Sequence, residues 1–399
     1  MIALALAYLR DRWLATMLNV LLLALAVATL VLLLDVSTQA ADRFEADARG
    51  IDLVVGAKGS PLQLVLSAVY QIDAPTGNIP LASIDLLRRD PSVAMVVPLA
   101  MGDGFRGFRI VGTDPGYLPF RGARLASGRI FRASGDAVVG AEAARRSGLT
   151  IGRRFIGSHG LEHEGGPAHA QHPFTVTGIL TPTGSVADRM ILVSVETVWD
   201  VHGIAHPGPG AADATTIPPE VTALLVRYRS AFGALRVPLM INRQTNMQAA
   251  SPAIEIARLF SLLGVGVAAI RAFAWLLAIT GGLSIFVALT AAASAREADL
   301  TLLRLIGARR RMIVGAILAE GLIVAACGVA TGELIGHGVL ALATATVPTL
   351  ADTGIDPWRL DPGELLIAAL VLAIGGLAAL IPAARVVHGD LARVLARTA

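Results

Sequence analysis

Residues 13–34 read WLATMLNVLLLALAVATLVLLL and contain no charged side chain. A helix needs about 20 mostly apolar residues to cross the hydrocarbon core of a bilayer. Three more long apolar segments follow, at residues 265–295, 312–342 and 365–384. Four such segments predict four transmembrane helices, one before and three after a long intervening segment. Four buried helices of near-bilayer length in a soluble core are a much less favoured alternative.

The composition agrees with a membrane protein. Hydrophobic residues make up 54% of the chain and charged residues only 16%, whereas soluble domains carry about 25% charged residues. The net charge is only +3, aromatic residues make up 5% of the chain, and the aromatics do not interleave with a run of basic residues. Nucleic acid is therefore not an expected partner. The single cysteine, Cys327, excludes an intramolecular disulfide.

The arginines predict the orientation of the four helices. Short loops rich in Arg and Lys stay on the cytoplasmic side. One orientation places three groups of arginines there: Arg10 and Arg12; Arg296, Arg304 and 309–311; Arg385, Arg393 and Arg397. Both termini are then cytoplasmic and the long segment is outside, which in a bacterial inner membrane means the periplasm. The first apolar segment is longer than the core of a signal peptide, about 7–15 residues, which favours a retained anchor over a cleaved signal.

The predicted fold class is therefore a membrane α-helical protein with four transmembrane helices (1+3) and a large α+β periplasmic domain. In the periplasmic segment we expect a strand over 174–180, a short helix over 141–147 and mixed elements without a βαβ rhythm. The expected parts are a cytoplasmic amphipathic N-terminus (1–12), a first transmembrane helix (13–34), the periplasmic α+β domain (35–251), a stalk helix (252–264), a second transmembrane helix (265–295), a cytoplasmic coupling helix (296–311), a third transmembrane helix (312–342), a short periplasmic loop (343–364), a fourth transmembrane helix (365–384) and a cytoplasmic tail (385–399).

The turn between the second and third apolar segments reads AREADLTLLRLIGARRRMI over residues 295–313. This resembles the cytoplasmic turn of MacB/FtsX-type ABC transporter permeases, with an acidic residue, an aliphatic pair, an arginine and a Leu-x-Gly-Ala ending. The periplasmic segment is similar to the core domain of that family at 112–115 (GTDP), 128–131 (GRIF), 138–140 (VVG), 148–149 (GL) and 176–180 (VTGIL). The layout of one plus three helices also matches, so the resemblance covers nearly the whole chain.

The resemblance implies a permease subunit that is not itself an enzyme. Such permeases work as homodimers with a separate cytoplasmic ABC ATPase, and they transmit ATP-driven motion to their periplasmic domains and to a periplasmic or lipoprotein partner. ATP would then bind the partner subunit, and this chain itself would hold no cofactor, with zinc as a possible exception. The sequence has no Gly-x-x-x-x-Gly-Lys-Ser/Thr loop, and its nearest lookalike, residues 56–60 (GAKGS), has the wrong spacing.

The coupling segment itself has a helical pattern. Leu300 and Leu303 share one face, and Gly307 supplies a stop. A short amphipathic helix of this kind can dock in a groove on a partner, or it can lie on lipid headgroups. The resemblance favours docking to an ATPase, with these candidate coupling residues: Arg296, Asp299, Leu300, Leu303, Arg304 and Gly307.

The third apolar segment contains glycine at every fourth position, at Gly328, Gly332 and Gly336. Stacked small residues let two helices approach closely, which predicts a helix-packing seam within the subunit or across a dimer. Glu320 lies in the same segment, where a charge would be costly, so we expect it to contact protein. The alternative is that glycine is simply common in membrane helices.

A histidine-rich loop lies within the periplasmic segment. His159, His163, His169 and His172 fall close together, and imidazole is a good zinc ligand. These four residues are the candidate metal ligands, and they suggest a second role as a zinc-linked envelope accessory or sensor protein. The alternative is a polar hairpin tip without a metal. A membrane-bound enzyme is a third hypothesis, but the chain contains no recognisable nucleophile elbow or His-Glu-x-x-His motif.

Overall fold

The computed structural model describes residues 2–160, 168–204, 218–295, 309–347, 350 and 354–388. The chain divides into two compact units. We call residues 1–41 and 263–399 the membrane unit, and residues 42–262 the inter-span domain.

Among the described residues, four helices are long and apolar enough to cross a membrane. The first to fourth span helices are Trp13–Ala48, Pro252–Ala295, Arg310–Thr346 and Pro362–His388. A further helix, Ile2–Asp11, precedes the first span helix. The expected stalk and second transmembrane segment therefore form one helix beginning at Pro252.

The span helices of the membrane unit pack through small and branched apolar side chains. Leu23, Val27 and Val31 of the first span helix are fully buried. They form one hydrophobic cluster with residues of the other three span helices, among them Ala274, Ala325 and Val371. Because lipid is as apolar as these side chains, close packing rather than the hydrophobic effect stabilises the contact.

The inter-span domain is built on one mixed sheet. The described strands of the domain are β1 Leu53–Ala57, β2 Ile79–Pro80, β3 Val93–Phe105, β4 Phe108–Thr113, β5 Leu125–Gly128, β6 Asp136–Val139, β7 Arg154–Phe155, β8 Ser158–His159, β9 Phe174–Leu180, β10 Met190–Ser194, β11 Glu220–Val221, β12 Ala223–Tyr228 and β13 Met247–Ala250. The main order is β13-β1-β12-β3-β4-β10-β6-β9-β5, while β7 pairs with β9 and β8 with β3. The pairs β4–β10 and β6–β9 are parallel and the other pairs are antiparallel, and β11 and β2 form a separate small sheet. The domain is thus of the α+β class.

Both faces of the sheet are covered. The alternating residues of β1 separate into two cores, since Leu53 and Val55 belong to one hydrophobic cluster and Val54 to the other. The described helices of the domain are Pro61–Ala68, Ser83–Arg88, Tyr117–Arg121, Ala141–Ser147, Val195–His202 and Ala231–Gln244, with a 3-10 turn at Val186–Arg189. Residues of β3 and β4 are buried in both cores, and this packing positions the side chains at the ends of these strands.

Local sequence explains the helix that carries part of the candidate site. Val195–His202 follows directly after β10. The Ser194 hydroxyl accepts a hydrogen bond from the Thr197 backbone N–H at 3.2 Å, which caps the helix start. Gly203, with φ +65°, ends the helix in the left-handed conformation. Trp199 is buried and donates from its indole nitrogen to the Glu220 carbonyl oxygen at 2.8 Å, which fixes the helix against the domain.

Candidate functional site

Three imidazole rings surround one buried carboxylate in the inter-span domain. Asp103 accepts a hydrogen bond at Oδ1 from His169 Nε2 at 3.1 Å and at Oδ2 from His202 Nε2 at 3.0 Å. His159 Nδ1 lies 3.6 Å from Asp103 Oδ1. One ligand atom from each of these residues can be chosen so that all four lie within 4.8 Å of one another. We call these four residues the His-Asp cluster.

The sheet positions two members of the His-Asp cluster. His159 of β8 is the direct cross-strand partner of Asp103 of β3, so their side chains share one face of the sheet. The pairing of β3 with β4 shifts register between Met101 and Asp103. Such a bulge redirects a side chain, and here it accompanies a carboxylate at the end of a long strand.

The other two members, His169 and His202, come from the segment that follows β8 and from the end of a helix. The His169 backbone N–H donates to the Gly157 carbonyl at 2.9 Å, which brings this residue beside β8. His202 is the last residue of the helix that packs against the sheet through Val198 and Trp199. Three histidines from different points of the sequence therefore converge on Asp103.

Burial and hydrogen bonding have opposing effects on the pKa values of Asp103 and His202. Burial by itself would raise the pKa of Asp103, but the hydrogen bonds and positive charge of His202 and His169 outweigh it and hold that pKa below its usual value. The hydrogen bond to Asp103 raises the pKa of His202 above its usual value, against the opposing effect of burial. A metal cation would have to displace the protons of these imidazoles, so its binding would weaken as the pH falls.

The structure brings two of the four sequence-predicted histidines together. His159 and His169 belong to the His-Asp cluster, while His172 is exposed and lies outside it. His163 lies outside the described residues. Asp103 and His202 were not predicted, because they are 56 and 43 positions away from His159 in the sequence (159 − 103 and 202 − 159). The clearest available signal was the apolar run of β10 followed by Ser194, which is typical of a strand leading into a capped helix.

The candidate coupling residues Arg296, Asp299, Leu300, Leu303, Arg304 and Gly307 all lie outside the described residues. Their placement is therefore a sequence-based expectation only.

The glycine-rich face of the third span helix lies against the first span helix. A Cβ atom added at Gly328 would lie 2.7 Å from Leu23 Cβ, and one at Gly332 would lie 2.6 Å from Val27 Cβ. At Gly336 the nearest atom would be the Ala28 carbonyl oxygen at 3.2 Å. The backbones approach closely along three successive turns, so this seam is within one chain.

Glu320 is buried inside the membrane unit, with 6% of its surface exposed. It lines a small cavity together with Thr16, Asn19 and Val324. Asn19, also buried, accepts a hydrogen bond from the Ser284 hydroxyl at 2.6 Å. The polar groups of this region thus face protein rather than lipid.

A second ionisable cluster lies at one end of the span helices. His337 is buried between Asp35, at 3.4 Å from its Nδ1, and Glu364, at 3.2 Å from its Nε2. Glu364 also accepts from the Asp361 backbone N–H at 2.6 Å, while Asp361 accepts from the Gly363 N–H at 2.8 Å. This reciprocal pair caps the fourth span helix. The cluster ties three span helices together, and Glu364 and His337 already have other hydrogen-bond partners, so its plain role is structural.

Comparison with known families accounts for both units of the chain. The family model described as a MacB-like periplasmic core domain matches residues 16–253, and the model described as an FtsX-like permease C-terminal domain matches residues 271–391. The chain belongs to the MacB/FtsX-type ABC transporter permeases. No curated protein matches this permease.

A solved structure also shows similarity to part of this permease. It is the extracellular domain of the noncanonic ABC-type transporter YknZ from Gram-positive bacteria, with 18% sequence identity and a TM-score of 0.31. The match covers 50% of this chain and 99% of that chain.

Several motif positions of this permease meet at one edge of the sheet. Gly128 has φ +80°, and a Cβ added there would clash with the Thr177 carbonyl oxygen of β9. Gly178 approaches the Arg129 carbonyl just as closely, with 2.6 Å between an added Cβ and that oxygen. The pairing of β5 with β9 therefore needs glycine at both positions. These two glycines therefore serve the fold.

Proposed function

We propose that this permease couples ATP hydrolysis by a separate cytoplasmic ABC ATPase to movement of its inter-span domain in the periplasm. The observation that carries the proposal is the match of a MacB-like periplasmic core domain and an FtsX-like permease domain in one chain. The motion would serve export, lipoprotein handling or another envelope process. This chain would itself be non-enzymatic, with ATP bound by the partner.

The proposed assembly is a homodimer in the bacterial inner membrane, with both termini in the cytoplasm. The arginine distribution supports that orientation, because Arg309, Arg310 and Arg311 border the turn between the second and third span helices. A periplasmic or lipoprotein partner would receive the motion of the inter-span domain. Membrane lipid surrounds the exposed apolar faces of the span helices, such as Leu276 and Leu283 on the second.

The coupling would pass through residues 296–311. The sequence pattern predicts that Leu300 and Leu303 share the apolar face that contacts the ATPase, and a charge placed there would be desolvated on docking. We expect Leu303→Asp to abolish co-purification of the ATPase from membranes and its stimulation by the permease. Thr301→Asp is the matched control, since the sequence pattern places it off the Leu300–Leu303 face.

Pull-down of the tagged permease with its ATPase, followed by ATPase assays in nanodiscs, provides the measurement. Loss in Leu303→Asp with retention in Thr301→Asp is the expected result. Equal association and activity in both variants would contradict docking through this face.

A zinc-linked accessory or sensor role is a second candidate. The specific observation that favours it is the convergence of three histidines and one aspartate in the inter-span domain. The two roles involve different parts of the chain, so a single protein can have both.

A further inference from the structure

We propose that Asp103, His159, His169 and His202 form a binding site for a divalent transition-metal ion of the zinc class. This inference rests on the second candidate function, the zinc-linked accessory or sensor role, and adds the ligands and the class of metal. It does not depend on coupling to an ATPase.

The distances fit the size of a zinc site. Zinc binds imidazole nitrogen and carboxylate oxygen at about 2.0–2.2 Å, so neighbouring ligand atoms in a tetrahedron lie about 3.4 Å apart. Between the carboxylate oxygens of Asp103 and the three imidazole nitrogens, the shortest distances are 3.0, 3.1 and 3.6 Å. Binding would need only small side-chain movements to bring the four ligands around one ion.

The geometry of the rings points to a shared centre. The ring centroids are 5.9 Å apart for His159 and His169, 5.2 Å for His159 and His202, and 5.3 Å for His169 and His202. Each pair meets edge to face rather than in a stack. Hydrogen bonding to Asp103 accounts for the orientation of two rings, but His159 lies at 3.6 Å, too far for a hydrogen bond, and still turns its Nδ1 inward. A cation placed at this centre would be within reach of all three rings and of Asp103.

The donor set selects the metal class. Three imidazole nitrogens and one carboxylate suit zinc, and related ions such as cobalt(II) and nickel(II). Calcium and magnesium require six or more oxygen ligands, which this cluster does not offer. With four protein ligands the coordination sphere of a zinc ion is complete, which is typical of structural or sensing sites rather than catalytic ones.

The exposure of the cluster residues would let a bound ion exchange with solution. The Asp103 side chain is only 2% exposed, and those of His169 and His202 are 18% and 21% exposed, whereas that of His159 is 59% exposed. An ion would enter along His159 and be held against the buried carboxylate. Bound metal would then link β3, β8 and the helix Val195–His202, so its presence would stiffen one end of the sheet.

Metal binding by the full-length protein, purified in detergent with a histidine-free tag, tests the inference. The probe is zinc ion alone, measured by isothermal titration and by metal content after dialysis, with cobalt(II) absorption reporting the geometry. We expect His169→Ala and His202→Ala each to bind one zinc fewer per chain, or to bind it at least about 100-fold more weakly, because even outer-shell changes cost about 10–100-fold. We expect the parent chain to show the strong visible absorption of tetrahedral cobalt(II).

His172→Ala is the matched control, because His172 lies in the same loop but outside the His-Asp cluster. It should bind zinc like the parent chain. Asp103→Asn removes the buried carboxylate ligand and should also lose zinc. If this variant does not fold, His169→Ala and His202→Ala, at more exposed positions, still test whether the cluster binds zinc. Zinc should also raise the melting temperature of the parent chain and of His172→Ala, but not of His202→Ala.

Absence of zinc binding by the parent chain would overturn the inference. So would an equal loss of zinc from His172→Ala and His202→Ala, since the loop rather than the cluster would then hold the ion. Neither result bears on ATPase association, so failure of the metal site and failure of the coupling role are distinguishable.

Discussion

Asp136 is a buried carboxylate of the inter-span domain with three donors. It accepts from the Arg129 guanidinium at 2.7 Å and from the backbone N–H groups of Arg132 and Ala133 at 3.0 and 3.2 Å. Burial opposes the charged form, but these donors outweigh it and hold the pKa of Asp136 below its ordinary value of 3.8. Arg129 lies in the segment 128–131, and its contact with Asp136 gives this segment a local structural role.

Asp136→Asn should destabilise the domain at neutral pH by about 1–3 kcal/mol, because it removes a charged acceptor from buried donors. A carboxyl whose pKa is lowered by folding contributes stability above its unfolded pKa and loses it as the pH falls through the folded pKa. The difference in melting temperature between the parent chain and Asp136→Asn should therefore be largest near pH 7 and shrink as the pH approaches about 3. Asp85→Asn, at an exposed position, is the control. A difference that stays constant over this range would argue against the role of the charge.

Two of the four residues of the His-Asp cluster could be predicted from the sequence and two could not. His159 and His169 fall in one short loop, so composition alone marked them as candidate ligands. Asp103 is an ordinary aspartate near the end of a strand, and His202 is a lone histidine after an apolar run. Only the pairing of β8 with β3 and the packing of a helix place these two beside the loop. Such contacts depend on tertiary structure, which local pattern does not contain.

At the scale of elements, the third span helix approaches the first through glycines. At Gly332, an added Cβ would lie 2.6 Å from Val27 Cβ and 2.7 Å from the Ala24 carbonyl oxygen. Neither atom is the end of a flexible side chain, so the helices would have to separate. At Gly338, on the same helix, nothing lies within 4 Å of an added Cβ.

We therefore expect Gly332→Ala to destabilise the membrane unit by about 1–3 kcal/mol through overpacking. Gly338→Ala is the matched control and should be neutral or slightly stabilising, because alanine favours helix over glycine by about 1 kcal/mol. Thermal unfolding of the two full-length variants in detergent measures the difference. Equal melting temperatures would show that the close approach is not needed for packing.

Sequence pattern predicted elements best where the local signal was complete. Phe174–Leu180 and Ala141–Ser147 have the expected bounds, the latter because Gly148 ends the helix with φ +71°. Pro61–Ala68 is a helix that was not predicted from the sequence, although the Ser60 hydroxyl caps it and Leu64 and Val65 are buried. The strand β10 and the helix after it were not predicted, because a short buried strand gives no alternation to recognise. The unpredicted helix is the one that ends at His202.

At the scale of the whole molecule, four span helices and an α+β domain between the first two follow from hydropathy and composition. The family matches cover both units. The residues proposed to contact the ATPase and the proposed metal site lie in different units. The proposed coupling would involve the helices Trp13–Ala48 and Pro252–Ala295, which have residues in both units.

The distance between the two units during the ATPase cycle tests this coupling most directly. Cys327→Ser removes the native thiol, and spin labels at Thr150→Cys and Leu360→Cys then report one exposed position in each unit. Electron–electron double resonance would compare the permease–ATPase complex with a non-hydrolysable ATP analogue and with ADP. We predict that the distance distribution differs between the two nucleotide states and that the difference is lost in Leu303→Asp. Identical distributions in both states, in a complex that hydrolyses ATP, would contradict coupling of hydrolysis to movement of the inter-span domain.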